Sequence, residues 1–208
     1  NDGRIHGKVI TMGAVTGRCT HSNPNLAQIP AVRAEYGKEC RSCFTVDKGN
    51  VLVGCDLSGI ELRCFAHYLN DQEYTNEVVY GDVHTRNQQA FGCETRDQAK
   101  TILYATLYGA SAGKVGTIIG GKESDGKRII DNFCRSVPAY ATLKSKVERI
   151  AGKGTLPGLD GRALQVRSTH SALNTLLQSA GAIIAKQWLI EARKSLREAK
   201  IPYKQVAF

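Results

Sequence analysis

The stretch from Arg96 to Gly109, RDQAKTILYATLYG, constrains the fold of this chain more than any other. Arg96, Lys100, Tyr104 and Tyr108 recur in it at every fourth position. Because an α-helix turns once in about 3.6 residues, this spacing predicts a helix with two cations and two aromatic rings along one face. The opposite face carries apolar side chains that can seat the helix on a core: Ile102, Leu103, Ala105 and Leu107.

The polar row of this helix suits a polyphosphate that continues into a base. Arg and Lys side chains hold phosphate oxygens, while Tyr rings offer flat surfaces to a sugar or a base. The same row is also typical of a solvated helix face with snorkelling cations and half-buried tyrosines. The helix alone leaves both interpretations open.

The charge balance of the chain points to an anionic partner. The 208 residues carry a formal net charge of +9, which favours nucleic acid among the possible partners. No run approaches the roughly 20 apolar residues of a membrane span, and no basic-then-apolar leader opens the sequence, so we expect neither a membrane protein nor secretion. Cys40 and Cys43 lack a second Cys or His pair at zinc-like spacing, so reduced thiols are expected in place of a metal site.

The first 45 residues contain many turn formers and few helical periods, which predicts an extended or irregular path. Polar side chains in this segment, Arg18 among them, suit a nucleic-acid backbone or minor groove. A polar surface loop is the alternative.

A buried strand over Val51–Cys55 is predicted next, ending at Asp56 and followed by a helix after Ser58-Gly59. A carboxylate at the end of a buried strand lies where open sheets place functional groups. Asp56 could instead cap the following helix. Glu61, in the first turn of that helix, could belong to the same site. Its negative charge could instead only stabilise the N-terminus of the helix.

The rest of the chain reads as mainly helical. Helices are expected over 71–93 with an interruption at Gly81-Asp82, over 127–150 with a break near Pro138, and over 170–199. A hairpin is predicted about Asp160-Gly161, and a strand is predicted to begin at Tyr203. Three polar positions have competing interpretations: His84 as a ligand or a surface residue, and Asn174 and Gln178 as internal hydrogen-bonding partners or as readers of a bound molecule.

Six short strings, in the order in which they occur along the chain, resemble the family A (Pol I-like) DNA polymerases. Within that family they are most similar to the replicative polymerases of T-odd bacteriophages. Each string is weak alone, but together they span nearly the whole chain. The strings are TGR at 16–18, PNLAQIP at 24–30, DLSGIELR at 56–63, GDVHT at 81–85, RDQAKTILYATLYGA at 96–110 and LDGRALQVRSTHSALNTLLQSAGA at 159–182.

The resemblance implies an α+β, mainly α, fold that forms the palm and fingers of a right-hand polymerase. Residues 1–70 would be the first part of the palm, 71–155 the fingers and 156–208 the second part of the palm. The thumb and the end of the palm would lie outside the chain.

The resemblance also implies a role for each matching residue. Asp56 would be the first catalytic carboxylate, binding two Mg²⁺ ions in the complete enzyme, and the Leu57 backbone carbonyl would bind one of them. Two metal ions suit an in-line displacement because they stabilise both the attacking and the leaving oxygen. Arg96 and Lys100 would hold the triphosphate with help from His84, and Lys100 would also act in catalysis.

Further matches concern the sugar and the template. Tyr104 would pack on the incoming sugar and Tyr108 near the template base, while Glu61 would exclude a 2′-hydroxyl. The remaining matches are to DNA-binding positions: Arg18, Asn174 and Gln178.

The family's second metal-binding aspartate has no counterpart in these residues, because no HDE-like string occurs. We therefore expect the central part of a DNA polymerase that is inactive alone, with primer–template DNA and dNTPs as partners. A processivity factor would bind outside this segment, and the enzyme would work in the cytoplasm of an infected bacterial host. The alternatives are a non-catalytic nucleic-acid-binding module and a single-subunit phage RNA polymerase, and Glu61 argues against the latter.

Overall fold

The computed structural model describes residues 2–206. Over these residues the chain is mainly helical with a small β component, which confirms the expected fold class. The helices are α1 (Gly37–Ser42), α2 (Ile60–Leu69), α3 (Gln72–Tyr80), α4 (Val83–Phe91), α5 (Arg96–Leu107), α6 (Ala112–Ile118), α7 (Glu123–Ser136), α8 (Pro138–Ala151) and α9 (Ala172–Glu198). The strands form two antiparallel pairs, β1 (Lys8–Ile10) with β2 (Thr20–Ser22) and β3 (Thr155–Pro157) with β4 (Ala163–Gln165).

The helix predicted from the four-residue spacing is α5. It begins after Thr95, whose side chain accepts a hydrogen bond from the backbone N–H of Gln98 and so caps the first turn. Ile102, Leu103 and Leu107 are at most 1% exposed, so the predicted apolar face is the buried one. The helix packs against α4 and α6 and leaves its polar row outward.

An aromatic cluster joins five of the helices. Phe91 of α4 stacks on Phe133 of α7 with ring centres 4.4 Å apart. Tyr140 of α8 lies 5.0 Å from Phe133 and 6.0 Å from Phe65 of α2, whose edge meets Tyr74 of α3 at 5.6 Å. Such pairs add about 0.5–1.5 kcal/mol each beyond the area they bury, so this cluster fixes the helices that flank α5.

The long helix α9 packs its first half on the rest of the chain and leaves its second half largely exposed. A Cβ at Gly181 would lie only 3.6 Å from the Ile60 side chain, so α9 passes close to the start of α2. The predicted hairpin is confirmed as β3 and β4, and the predicted break between two helices lies at Val137, between α7 and α8. No helix over residues 2–206 is long and apolar enough to span a membrane.

The predicted strand before Asp56 is wrong. Residues 50–56 form no strand and are exposed, and Val51, Leu52 and Val53 are 82%, 58% and 77% exposed. A strand needs a partner for its backbone groups, and both sheets described are hairpins made by other residues. The apolar run alone therefore does not produce a buried strand.

Two other expectations need correction. The irregular N-terminal segment contains the short β1–β2 pair and α1, which the turn-rich sequence did not predict. Residues 203–206 form no strand, and the last two residues of that predicted strand, Ala207 and Phe208, lie outside the described residues.

Candidate active site

The outward row of α5 presents two cations and two rings in succession. Arg96 and Lys100 are exposed, Tyr104 is half-buried and Tyr108, just after the last turn, is 44% exposed. The two rings lie 6.2 Å apart at an angle of 51°. The face that the sequence predicted is therefore accessible along its whole length.

Arg96 is held by a carboxylate from the neighbouring helix. Its Nε and Nη2 atoms donate to the side chain of Asp82 over 3.0–3.2 Å. The same carboxylate caps α4 by accepting from the backbone N–H groups of His84 and Thr85. The guanidinium hydrogen bonds hold the pKa of Asp82 well below its usual range.

His84 lies beside the two cations of α5. Burial lowers its pKa, and the charges of Arg96 and Lys100 lower it further. The imidazole is therefore neutral near pH 7, with its Nδ1 atom buried and without a hydrogen-bond partner among residues 2–206. A neutral imidazole carries one donor and one acceptor nitrogen, so the ring can form a hydrogen bond with a ligand without adding charge.

Glu61 connects the other end of α5 to the N-terminal segment. The Tyr108 hydroxyl donates to the Glu61 carboxylate over 2.5 Å, and the Arg18 guanidinium lies 3.5 Å from the other carboxylate oxygen. Burial, followed by this hydrogen bond to Glu61, raises the pKa of Tyr108 to about 12. Burial and then the Glu61 charge also raise the pKa of Tyr104.

Gly109 brings the end of α5 against the approach to α9. Its φ is +81°, and an added Cβ would lie 2.5 Å from the carbonyl oxygen of His170. A larger residue would therefore both strain the backbone and separate the two segments. This close approach brings the residues just before α9 to the Tyr108 end of α5.

The segment that carries Arg18 is attached to α9 by Lys186. The Lys186 Nζ atom donates to the carbonyl oxygens of Thr11 and Gly17 over 2.6 and 2.7 Å. These two carbonyls flank the turn that leads to Arg18. The lysine thus fixes the position from which Arg18 reaches Glu61.

Asn174 and Gln178 lie one turn apart on α9 and are both half-buried. The side-chain oxygen of Asn174 is buried, and no residue among 2–206 donates a hydrogen bond to it. The side-chain oxygen of Asn174 therefore does not support the interpretation that this amide is satisfied by hydrogen bonds within the protein. Both amides remain candidates for contact with a bound molecule.

Asp56 and Leu57 are not assembled with the other candidates into a metal centre. Asp56 is exposed in the irregular stretch before α2, and it does not cap that helix, which begins after Gly59 without a side-chain cap. No three His, Cys, Asp or Glu side chains within residues 2–206 are grouped so as to hold a metal ion. Leu57, the residue that follows Asp56, is half-buried.

Most of the predicted site residues thus converge on α5, and two contributors were missed. Asp82 was recognised only as a break between helices, although an Asp before a helical pattern is an N-cap signal. Its pairing with Arg96 joins residues 14 positions apart across a helix junction, which no local pattern specifies. The contact of Lys186 spans about 170 residues and has no sequence signal at all.

Comparison with known proteins relates this geometry to a family. The model of DNA polymerase family A matches residues 1–207. The DNA-directed DNA polymerases of Enterobacteria phage T3 and Escherichia phage T7 are each 45% identical over 95% of this chain and 32% of their own length. DNA polymerase I of Chloroflexus aurantiacus is 30% identical over 94% of this chain and 23% of its own length.

A solved structure shares the same fold. The polymerase domain of Pol1 from M. smegmatis, in complex with DNA primer-template and dNTP, superposes with a TM-score of 0.84 at 26% identity, covering 96% of this chain and 39% of that one. The chain spans about a third of the length of the phage relatives it matches. The family match covers residues 1–207, the range that includes every candidate residue, and the chain therefore belongs to DNA polymerase family A.

Proposed function

We propose that this chain is the nucleotide-selecting and template-contacting part of a template-directed DNA polymerase of phage replication. The observation that carries the proposal is the row on α5, in which the exposed Arg96 and Lys100 are followed by the half-buried Tyr104 and the exposed Tyr108. This row meets His84 at one end and Glu61 at the other. Its substrates would be deoxynucleoside triphosphates and primer–template DNA. Its place would be the cytoplasm of the infected host.

The cationic end of the row suits the triphosphate. Lys100 is exposed, so its ammonium can contact phosphate oxygens as a point charge, while Arg96 can contribute a planar set of donors. A neutral His84 adds a hydrogen bond without further charge. As pyrophosphate leaves, negative charge grows on its oxygens, so these fixed cations stabilise the transition state more than the bound substrate.

The aromatic end suits the sugar and the base pair. Tyr104 would lie against the sugar, and Tyr108 near the template base, with its hydroxyl held by Glu61. The Glu61 side chain would fill the space that a 2′-hydroxyl requires. Arg18, Gln178 and Asn174 would contact the minor groove and the primer–template, where hydrogen-bond acceptors are shared by all correct pairs.

The described residues do not supply a complete set of ligands for a divalent metal ion. Family A polymerases generally use divalent metal ions. Asp56 would be one ligand and the Leu57 carbonyl a second, but residues 2–206 contain no group of acidic or imidazole side chains that fits an ion.

One rival is a nucleic-acid-binding module without catalysis, which the formal net charge of +9 also suits. A chimeric polymerase tests the two proposals against each other. In it, residues 1–208 replace the matching segment of the T7 phage relative. Template-directed extension by this chimera supports the polymerase assignment, whereas a chimera that folds and binds DNA but never extends a primer supports the module. Extension with ribonucleotides as readily as with deoxynucleotides would favour the RNA polymerase alternative.

The 208-residue chain by itself should bind primer–template DNA weakly and in a salt-dependent way. Each phosphate neutralised by a Lys or Arg releases counterions, so the logarithm of the binding constant should fall linearly with that of the salt concentration, by about 0.9 per contact. No nucleotide incorporation is expected with Mg²⁺. Fluorescence anisotropy across a salt series and a primer-extension gel measure the two outcomes, and efficient extension would show that no essential carboxylate is missing.

Replacing Glu61 by Ala in the chimera should relax discrimination against ribonucleotides severalfold. The smaller side chain leaves room for a 2′-hydroxyl and also releases the Tyr108 hydroxyl. The measurement is the ratio of kcat/KM for matched deoxy- and ribonucleotides. Glu123→Ala, which removes a first-turn carboxylate from α7, is the matched control. An unchanged ratio for Glu61→Ala would mean that Glu61 does not exclude a 2′-hydroxyl and only contacts Tyr108, Arg18 and the start of α2.

A further inference from the structure

The contact between Asp82 and Arg96 is more constrained than an ordinary surface ion pair. Both side chains are about half exposed, at 50% for Arg96 and 49% for Asp82, and such pairs usually contribute little because both partners are mobile. Here the Asp82 carboxylate is fixed before it meets the arginine. It accepts from the backbone N–H of His84 at 3.1 Å, the backbone N–H of Thr85 at 3.3 Å and the Thr85 hydroxyl at 2.8 Å.

The fixed carboxylate binds one particular edge of the guanidinium. Three hydrogen bonds reach it from Nε and Nη2 of Arg96, which is the side-on geometry of a bidentate pair. None of the three uses Nη1. The donors of Nη1 therefore remain available on the other side of the planar group, and the plane of that group is set by Asp82.

The position of Arg96 on its helix makes this support necessary. Arg96 is the first residue of α5, where the helix dipole carries partial positive charge and disfavours a cation. Asp82 offsets the dipole and ties the N-terminus of α4, with His84, to the N-terminus of α5.

We propose that Asp82 is a positioning residue that orients Arg96, so that the Nη1 edge of the guanidinium is preorganised for a phosphate group of the incoming nucleotide. This inference rests on the proposed function, because it names how one cation of that nucleotide site is held. A side chain already held in its binding conformation loses less freedom when the ligand arrives. Arg96 keeps its partner while it binds, so the ion pair need not break.

The test compares two N-cap aspartates by substituting each with Asn. Asp82→Asn keeps a side-chain oxygen that can accept from the backbone of α4, so the cap is retained while the counter-charge is lost. Asp71→Asn is the matched control, because Asp71 caps α3 through the N–H of Tyr74 and forms no ion pair with a Lys or Arg within residues 2–206. Asp82→Ser also removes the charge and keeps a side chain that can cap α4. It serves as a second variant in case Asp82→Asn misfolds.

Affinity of the 208-residue chain for a fluorescent dATP analogue is measured for each protein, with circular dichroism as the folding control. Asp82→Asn and Asp82→Ser should weaken binding about tenfold, the scale of one charge-assisted interaction, while Asp71→Asn should change it less than twofold. The loss should disappear in an Arg96→Ala background, because Asp82 acts through that arginine. A purely structural role would lower thermal stability and persist in the Arg96→Ala background.

A second readout does not depend on nucleotide binding. The Nε–H resonance of Arg96 should be protected from solvent exchange in the parent chain and should lose that protection in Asp82→Asn. If the parent binds no nucleotide but this protection is seen, the proposed function fails while the orienting contact stands. If the parent binds nucleotide and Asp82→Asn binds it equally well or more tightly, Asp82 does not orient Arg96 for the ligand and the inference is overturned.

Discussion

Replacing Lys100 by Ala should weaken triphosphate binding on the order of 10- to 100-fold and also slow incorporation. Lys100 is exposed at the centre of the α5 row and forms no ion pair within residues 2–206, whereas its neighbour Arg96 is paired with Asp82. A hydrogen bond to a charged group contributes about 1.5–3 kcal/mol, and about 1.4 kcal/mol corresponds to tenfold. Because phosphate charge grows during the reaction, kcat should fall along with affinity.

The control for this prediction removes an equal charge elsewhere. Lys153→Ala changes an exposed lysine in the turn between α8 and β3, so it lowers the net charge by the same amount without touching α5. Fluorescent nucleotide binding is measured on the 208-residue chain and single-turnover incorporation on the chimera. Equal losses in the two variants would mean that Lys100 acts only through overall charge, and the phosphate assignment would then fail.

The elements that were predicted correctly are those specified by neighbouring residues. The α5 helix follows from a four-residue repeat, an apolar face and the cap at Thr95, all within 14 positions. The hairpin about Gly161 follows from turn chemistry, and the break at Pro138 follows from the missing backbone donor of proline. In each case the information is local, so a single sequence is sufficient.

The elements that were missed depend on partners distant in sequence. An apolar run such as Val51–Cys55 becomes a strand only when another segment offers its backbone groups, and none within residues 2–206 does. The ion pair of Asp82 and the contacts of Lys186 are likewise set by how helices pack. The periodicity of α5 thus identified the functional face, while the supports that hold its side chains in place emerged only from the fold.

The same distinction applies to the candidate site. Arg18 and Glu61 were each assigned a role from short strings, yet their contact across 43 positions was not part of either assignment. With Tyr108 they form a connected set in which one carboxylate holds both an aromatic hydroxyl and a guanidinium. A change at Glu61 should therefore affect the template side as well as sugar selection.

Replacing Tyr104 by Phe should make the chimeric polymerase reject dideoxynucleotides about tenfold or more. An incoming deoxynucleotide carries a 3′-hydroxyl that can hydrogen-bond with its own triphosphate, and a dideoxynucleotide lacks that contact. A Tyr hydroxyl beside the sugar can replace it, whereas Phe cannot. A hydrogen bond to a charged group contributes about 1.5–3 kcal/mol, which is roughly tenfold or more in discrimination. Deoxynucleotides should be little affected because they bring their own hydroxyl.

The surroundings of Tyr104 distinguish this role from that of a core tyrosine. Its ring is half-buried beside Tyr108, but its hydroxyl forms no hydrogen bond with any residue among 2–206, so the group is free to meet a ligand. The measurement is kcat/KM for matched dideoxy- and deoxynucleotides, with Tyr80→Phe on the exposed surface of α3 as the matched control. A core role would lower stability and leave the ratio of the two substrates unchanged. An unchanged ratio with normal deoxynucleotide incorporation would therefore remove Tyr104 from the nucleotide site, because loss of a sugar-side hydrogen bond must change that ratio.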